Sequence, residues 1–224
     1  MCLLAVCQTE CIREENFREA FRVNSDGFGF AFRNKDKLTY VKGFMDVNDA
    51  WKNYKEFTKE KIFPHVIHFR LGKPTLDVLT HPFEISEDSV LNLTNTIEGN
   101  VLFHNGVITG WKDRMYESFA FTGKIPEGPI IDTRVAAIWA NKFGKRIFDF
   151  IDGKFVIFGP ETLEMIGEFS TDRGVDYSNN SYKVIGKSYY SGTNYGYGYH
   201  NGYTKNPRTE FNSWEKDKID EFIV

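Results

Sequence analysis

The chain opens Met1-Cys2-Leu3-Leu4-Ala5-Val6-Cys7 and turns polar at once with Gln8 and Glu10. A short continuous apolar run of this kind reads as a strand buried on both faces, because a surface helix would interrupt it with polar residues at helical spacing. Side chains alternate along a strand, so Cys2 and Cys7 leave on opposite faces. The run has no basic leading segment and does not read as a secretory signal. Nowhere does the sequence approach the ~20 apolar residues of a membrane-spanning helix.

Outward from this strand, 27–33 is compact and aromatic, 34–37 supplies turn residues, and 38–43 resumes the pattern, which predicts a hairpin. Asp46 or Asn48 is placed to cap a helix through residue 59 that carries Trp51, Tyr54 and Phe57 on one face, and Pro64 stops its continuation. Strands follow over 65–71 and 100–104, the second halted by the turn dipeptide Asn105-Gly106. Between them Gly72-Lys73-Pro74-Thr75 opens a loop that reaches His81-Pro82-Phe83. Helices are predicted over 112–121 and 133–142, and a meander of three strands over 146–150, 154–158 and 162–169. Strands dominate, with about three helices between them, so the fold class is α+β built on antiparallel sheet.

Beyond residue 186 Tyr, Gly, Ser and Asn take over without apolar periodicity. A folded domain is therefore expected over 1–186, and over 187–224 a flexible tail closed by a short charged segment. The 224 residues suit a single domain, since one core grows to roughly 250 residues before chains divide. Aromatic residues form 16% of the chain and supply much apolar surface to bury. The net charge of -3 lacks the basic excess that a phosphate backbone demands, which argues against nucleic acid as a partner. Cys2, Cys7 and Cys11 are too clustered to staple a secreted fold, so a reducing, cytoplasmic compartment is expected.

Chemistry-bearing residues are few. His65, His68, His81 and His104 share one window. A zinc site is the sharper reading of them. Yet His65 and His68 lie three apart in a strand and face opposite ways, so histidines satisfied by backbone hydrogen bonds, with no metal, are expected. Gly27-Phe28-Gly29 lacks the third glycine and the βαβ setting of a dinucleotide loop, and reads instead as a strand whose backbone passes close to another segment. Asp132-Thr133 reads as a helix start. Arg70 ends an otherwise apolar strand and needs an anionic partner, either a carboxylate-bearing ligand or an internal ion pair. Removal of Met1 before a small residue would make Cys2 the N-terminal residue. Its α-amine, titrating near ~8, could then accept the proton of its own thiol. Acyl transfer also needs donors for an oxyanion, and Asn105 and Gly106 offer a side-chain amide and a backbone N–H at one sharp turn.

Taken in order, Cys2, Gly27-Phe28-Gly29, His68-Phe69-Arg70-Leu71, His81-Pro82, His104-Asn105-Gly106 and Asp132-Thr133 resemble the class II glutamine amidotransferases, a family of N-terminal-nucleophile hydrolases. The resemblance spans about residues 2–182. It implies a four-layer αββα sandwich of two antiparallel sheets. It also implies that Cys2 is the nucleophile of a γ-glutamyl thioester, that Asn105 and Gly106 form the oxyanion hole, and that Arg70 and Asp132 read the α-carboxylate and α-amino group of glutamine. His81 and His104 join the substrate site on the same grounds, and no cofactor is implied. After Arg70 the family commonly has Ala-Thr and often His-Gly, where this chain has Leu71-Gly72-Lys73-Pro74.

Full amidotransferases carry a second domain that consumes the ammonia, and the segment after residue 186 is too short for one. The expectation is a stand-alone glutaminase-type domain acting on a small-molecule amide and passing ammonia to a separate acceptor enzyme. Two further readings stay open: a free-standing amidohydrolase or peptidase on another γ-glutamyl or amide substrate, and a non-catalytic relative whose tail mediates assembly. The oligomeric state is not read from the sequence.

Overall fold

In the computed structural model, which describes residues 1–122 and 125–184, the opening apolar run is strand β1 (Leu3–Cys7), buried at every position. The chain continues through α1 (Glu14–Val23), β2 (Phe28–Asn34), β3 (Lys37–Phe44), α2 (Val47–Thr58), β4 (His65–Phe69), β5 (Phe83–Glu84), β6 (Thr94–Ile97) and β7 (Val101–Asn105). After these come α3 (Trp111–Thr122), α4 (Asp132–Phe143), β8 (Lys154–Phe158), β9 (Leu163–Ile166), β10 (Ser170–Asp172) and β11 (Val175–Tyr177). The expected boundary at residue 186 and the Tyr/Gly-rich tail lie outside the described residues. Among the described residues no helix is long and apolar enough to cross a membrane.

Two antiparallel sheets result. The larger runs β10-β11-β1-β4-β2-β3-β6 and the smaller β5-β7-β8-β9. Alternation along the central strands sorts their side chains into three apolar layers. Leu3, Ala5 and Cys7 of β1 pack under α1 and α2 with Phe17, Ala20, Phe21, Ala50 and Tyr54. Leu4 and Val6 face the other way and meet Phe103 of β7 and Val156 of β8 between the sheets. On the far side of the smaller sheet, Leu102, Phe155 and Ile157 are covered by α3 and α4, which contribute Met115, Phe119, Val135 and Trp139. The architecture is thus the four-layer αββα sandwich, with helices outside and two sheets face to face. Phe17 anchors the first layer, with ring centroids 4.8 Å from Phe28, 4.9 Å from Phe69 and 5.5 Å from Tyr54. Each such contact adds ~1 kcal/mol beyond area burial.

The hairpin, the α2 helix and the strands over 65–71, 100–104 and 154–158 form as the sequence predicts. Asp46 caps α2 by accepting from the Asn48 and Asp49 N–H groups. The strand expected over 146–150 is instead a 3-10 turn, Lys145–Asp149. An alternating strand would bury Phe148 and Phe150 on one face, but Phe148 is buried while Phe150 is 75% exposed, and among the described residues the segment pairs with no strand. The remaining meander is shorter than expected, β9 ending at Ile166. The sequence reading passed over helix α1 and strands β5, β6, β10 and β11; α1, β6 and β10 are rich in polar residues, while β5 and β11 are only two and three residues long.

Gly29 bears out the expectation of a close approach. A Cβ at this position would collide with the carbonyl oxygen of His81 and come within 2.6 Å of the Lys42 side chain. The buried Lys42 ammonium donates to the carbonyls of Val78 and Pro82, at 3.1 and 3.0 Å, and holds the loop that carries His81 against β3.

Candidate active site

Strand register brings the first residues of the site together. In the β1–β4 ladder Leu3 pairs with Phe69 and Leu4 with His68, so Cys2 falls beside Arg70 at the ladder's open end. The ends of β4 and β7 and the first turn of α4 converge at the same place. Together they wall a cavity of ≈ 290 Å³ on which Cys2, Arg70, His81, His104, Gly106 and Asp132 all lie. Six of the seven site residues expected from the sequence therefore share one cavity. Asn105 is not on its lining. Its Nδ2 donates to Ser178 Oγ at 2.9 Å, which uses one of its two N–H groups, and its Oδ1 is buried without a partner among the described residues.

Cys2 is 9% exposed. Its Sγ accepts the Leu71 N–H at 3.3 Å, and its carbonyl accepts from Asn179 Nδ2 at 2.7 Å. Burial raises the thiol pKa above its ordinary 9.0, opposed by the Leu71 hydrogen bond, by the Arg70 charge and by the N-terminus. A resting thiol is the result, one that needs a base before it can attack. Cys7, on the opposite face, is fully buried, lies 3.6 Å from the Tyr54 hydroxyl and is pushed up to about 12 by burial. Of the three cysteines only Cys2 reaches the cavity.

Arg70 is 4% exposed, and its Nη1 donates to the Gly72 carbonyl at 2.7 Å. Among the described residues no carboxylate comes within ion-pair distance of it. The internal ion pair left open by the sequence is therefore not formed. Burial lowers the pKa of Arg70, while Cys2, Asp26 and Asp132 at longer range favour its charge. The loop after it is pinned by Asp26, which accepts from the Gly72 N–H at 2.9 Å and lies 3.6 Å from Lys73. Across the cavity, Asp132 Oδ1 accepts the Thr133 N–H at 2.8 Å and Oδ2 accepts the Ile108 N–H at 3.2 Å. A cation and an anion thus face one small cavity without cancelling each other.

His81 and His104 lie on the cavity wall, with His68 packed behind them. The His68 and His81 rings stack at 3.8 Å, and His68 Nε2 donates to the His104 carbonyl at 3.0 Å. His104 stacks on Phe155 at 4.6 Å. Burial drives His68 down to about 3, His104 to about 4 and His81 well below the ordinary value, so all three are neutral at neutral pH. His65 is separate, held by Ile62 and Tyr54 in the outer core. His65 and His68 each donate to a backbone carbonyl, those of Ile62 and His104, and among the described residues no group of His, Cys, Asp and Glu is arranged to hold a metal ion.

Gly106 tolerates no side chain, because a Cβ there would stand 2.8 Å from His104 Nε2 and 3.0 Å from the Gly153 backbone. Lys73, Val107, Trp111 and Thr133 also line the cavity and were not singled out as site residues from sequence, although Thr133 follows Asp132 directly. Ser178 and Asn179, which support Asn105 and Cys2, lie in a polar segment that gave no signal.

No model of a known protein family matches the sequence, and no curated protein matches it. Among solved structures the fold is similar to that described as the structure of the allosteric regulatory enzyme of purine biosynthesis. That match has a TM-score of 0.55 at 14% identity and covers 79% of this chain and 41% of that one. It is similar also to glutamine phosphoribosylpyrophosphate (PRPP) amidotransferase from B. subtilis complexed with ADP and GMP, with a TM-score of 0.53 at 15% identity over 79% of this chain and 41% of that one. At these identities the likeness is one of fold, and this chain spans about two fifths of the length of each structure.

Proposed function

We propose that the chain is a glutamine amidotransferase-like amidohydrolase with Cys2 as an N-terminal nucleophile. The observation that carries this reading is the meeting, in one ≈ 290 Å³ cavity, of a thiol, an arginine without a carboxylate partner and an aspartate held by backbone N–H groups. A free amino acid presents a carboxylate and an ammonium at fixed separation, and this pair of opposite charges is its complement. Arg70 binds the α-carboxylate and Asp132 the α-amino group, which leaves the side-chain amide to reach Cys2.

Met1 is 81% exposed and open to removal. The α-amine of Cys2 then takes the thiol proton, and the sulfur attacks the amide carbon. Negative charge develops on the amide oxygen, where the Gly106 N–H receives it; Asn105, off the cavity lining with its amide on Ser178 Oγ, would have to turn to add its own N–H. Collapse breaks the C–N bond, ammonia leaves with the proton held by the α-ammonium, and a γ-glutamyl thioester remains. Water, deprotonated by the same amine, releases glutamate and restores the thiol. Ammonia set free in this way would serve a separate acceptor enzyme.

One observation favours a second reading. Leu71, Val107 and Trp111 add apolar surface to the cavity, with Leu71 41% and Val107 72% exposed, and the polar head of glutamine makes no use of it. A γ-glutamyl amide with an apolar substituent on nitrogen would cover that surface. The test is a mass-spectrometric screen of glutamine and N-substituted γ-glutamyl amides with the wild type and Cys2→Ala side by side. Ammonia from glutamine alone selects the first reading, and amine release from substituted amides selects the second. Turnover that survives in Cys2→Ala defeats both.

A further inference from the structure

Thr133, the residue after Asp132 in α4, stands where both cavity histidines and the aspartate meet. Its Oγ1 lies 3.1 Å from His81 Nε2, 3.0 Å from His104 Nδ1 and 3.4 Å from Asp132 Oδ1. A hydroxyl has one proton to give and two lone pairs to receive with, and a carboxylate can only accept. All three contacts are satisfied together in one way only. The hydroxyl donates to Asp132, while His81 donates from Nε2 and His104 from Nδ1. Each neutral imidazole then keeps a bare lone pair on its other nitrogen. Among the described residues His81 Nδ1 and His104 Nε2 are indeed two of the buried atoms without a hydrogen-bond partner. His104 Nε2 faces the Gly106 and Gly153 Cα atoms, where a built Cβ would stand 2.8 and 2.6 Å away; carbon-bound hydrogens suit a lone pair there, and a second N–H would have no acceptor.

We infer that Thr133 is a positioning residue for recognition of the substrate α-amino group, acting through Asp132 and through the tautomers of His81 and His104. The hydroxyl and the Thr133 N–H both bind Asp132 Oδ1 while the Ile108 N–H holds Oδ2, so the carboxylate is fixed in one orientation at the cavity. The same hydroxyl gives both imidazole N–H groups a neutral acceptor. His104 Nδ1 is 4.0 Å from Asp132 Oδ2, so an imidazolium there would neutralise the carboxylate and repel an incoming ammonium. By accepting the His104 Nδ1–H, Thr133 gives that proton a neutral partner in place of Asp132 and leaves the carboxylate to the substrate. This inference rests on the glutamine reading above and adds to it a residue whose role is exerted through Asp132 and the two histidines.

The test compares glutamine with glutaramate, which is glutamine without its amino group, in the wild type, Thr133→Ser and Thr133→Val. Valine keeps the shape and removes the hydroxyl. Wild type and Thr133→Ser should prefer glutamine. Thr133→Val should lose about ten-fold or more of that preference, the size of one charge-assisted hydrogen bond, with the change in KM rather than in kcat. Preference retained in Thr133→Val overturns the inference and leaves the glutamine reading standing. A wild type that hydrolyses both substrates equally overturns the assignment of Asp132 and the inference with it, and a wild type that releases ammonia from neither defeats the underlying reading. Nitrogen-15 spectra of the wild-type imidazoles give a readout that does not depend on the variant folding. Protonation of His104 on Nδ1 is expected, and protonation on Nε2 overturns the inference.

Discussion

The Sγ atom of Cys2 accepts the backbone N–H of Leu71 at 3.3 Å, just beyond the end of the β1–β4 ladder. Strand register brings Cys2 opposite Arg70, one step past the Leu3–Phe69 pair, and so next to the Leu71 N–H that its sulfur accepts. The nucleophile of the proposed reaction is therefore placed by the sheet, and the loop that follows Arg70 closes over it.

The first prediction concerns the pH dependence of Cys2 alkylation. Burial raises the thiol pKa, so the reactive thiolate is scarce at neutral pH and increases as pH rises. In protein that retains Met1, iodoacetamide labelling of Cys2 should climb through pH 9 without levelling. Protein with Cys2 at its N-terminus should show an added rise near pH ~8, where an α-amine becomes a free base. Peptide mapping should place the label on Cys2 and not on Cys7, whose thiol is fully buried and pushed up to about 12. A plateau below pH 8 in the Met1-bearing protein would contradict the raised thiol pKa.

Arg70 gives the second prediction. Its side chain is buried and has no carboxylate partner among the described residues, so a bound α-carboxylate would meet a largely desolvated cation. Arg70→Ala should weaken glutamine binding by ~2–4 kcal/mol, seen as a raised KM, while 4-aminobutanamide, which lacks the carboxylate, should bind about equally to both proteins. Arg70→Lys should recover only part of the loss, because an ammonium cannot form the two parallel hydrogen bonds of a guanidinium. Equal losses with both ligands would show that Arg70 supports the fold of the Leu71–Lys73 loop and does not read the substrate.

Much of the fold was legible because its central strands are apolar on both faces. The runs at 2–7, 65–71 and 100–104 can be nothing but interior, and the order of their ends already groups Cys2, Arg70 and Gly106. Helix α1 was not legible, because only Phe17, Ala20 and Phe21 mark its buried side within an otherwise charged segment. Alternating apolar residues at Phe148 and Phe150 imitate a strand, and only the lack of a neighbour with which to pair reveals the 3-10 turn. In the site, single residue types announced Cys2 and Arg70. The stacking of His81 on His68 depends on the path of the loop between β4 and β5, which is fixed by contacts such as Lys42 to Pro82 that no local pattern encodes. Thr133 was hidden for the same reason, since its importance lies in three partners distributed over α4, β7 and that loop.

The third prediction is acid lability. His65, His68, His81 and His104 are buried and neutral, with His65 and His104 at about 4 and His68 at about 3. Unfolded histidines titrate near ~6.5, so below that pH the unfolded state binds protons that the folded state refuses. The sign is fixed: stability is fully present above pH ~6.5 and falls as pH drops toward the folded values, by up to ~1.4 kcal/mol per pH unit for each histidine. Urea midpoints should fall steeply between pH 6.5 and 4.5 by circular dichroism. His65→Gln, remote from the cavity, should make the slope shallower by about one proton's worth. A midpoint that stays constant over this range would show that the imidazoles gain protons without opening the fold.

The last prediction tests the passage of the His81 loop across β2. A side chain at position 29 would run into the His81 carbonyl and the Lys42 side chain together, and neither is free to retreat. Lys42 is 3% exposed, stands 4.3 Å above the Phe83 ring and holds two carbonyls of the same loop, while the His81 ring is wedged between His68 and Phe83. Gly29→Ala should therefore cost about 2 kcal/mol or more, the scale of overpacking in a core, and push the loop outward. Because His81 donates to Thr133, the displacement should reach Asp132, and glutamine KM should rise more than the loss of stability alone would produce. Phe30→Leu, at a neighbour in β2 whose ring packs on the opposite layer with Tyr54 and Phe57 of α2, serves as the control. It should lower stability to a similar degree and leave KM unchanged, and an equal rise of KM in both variants would reduce the effect to general loosening of the sheet.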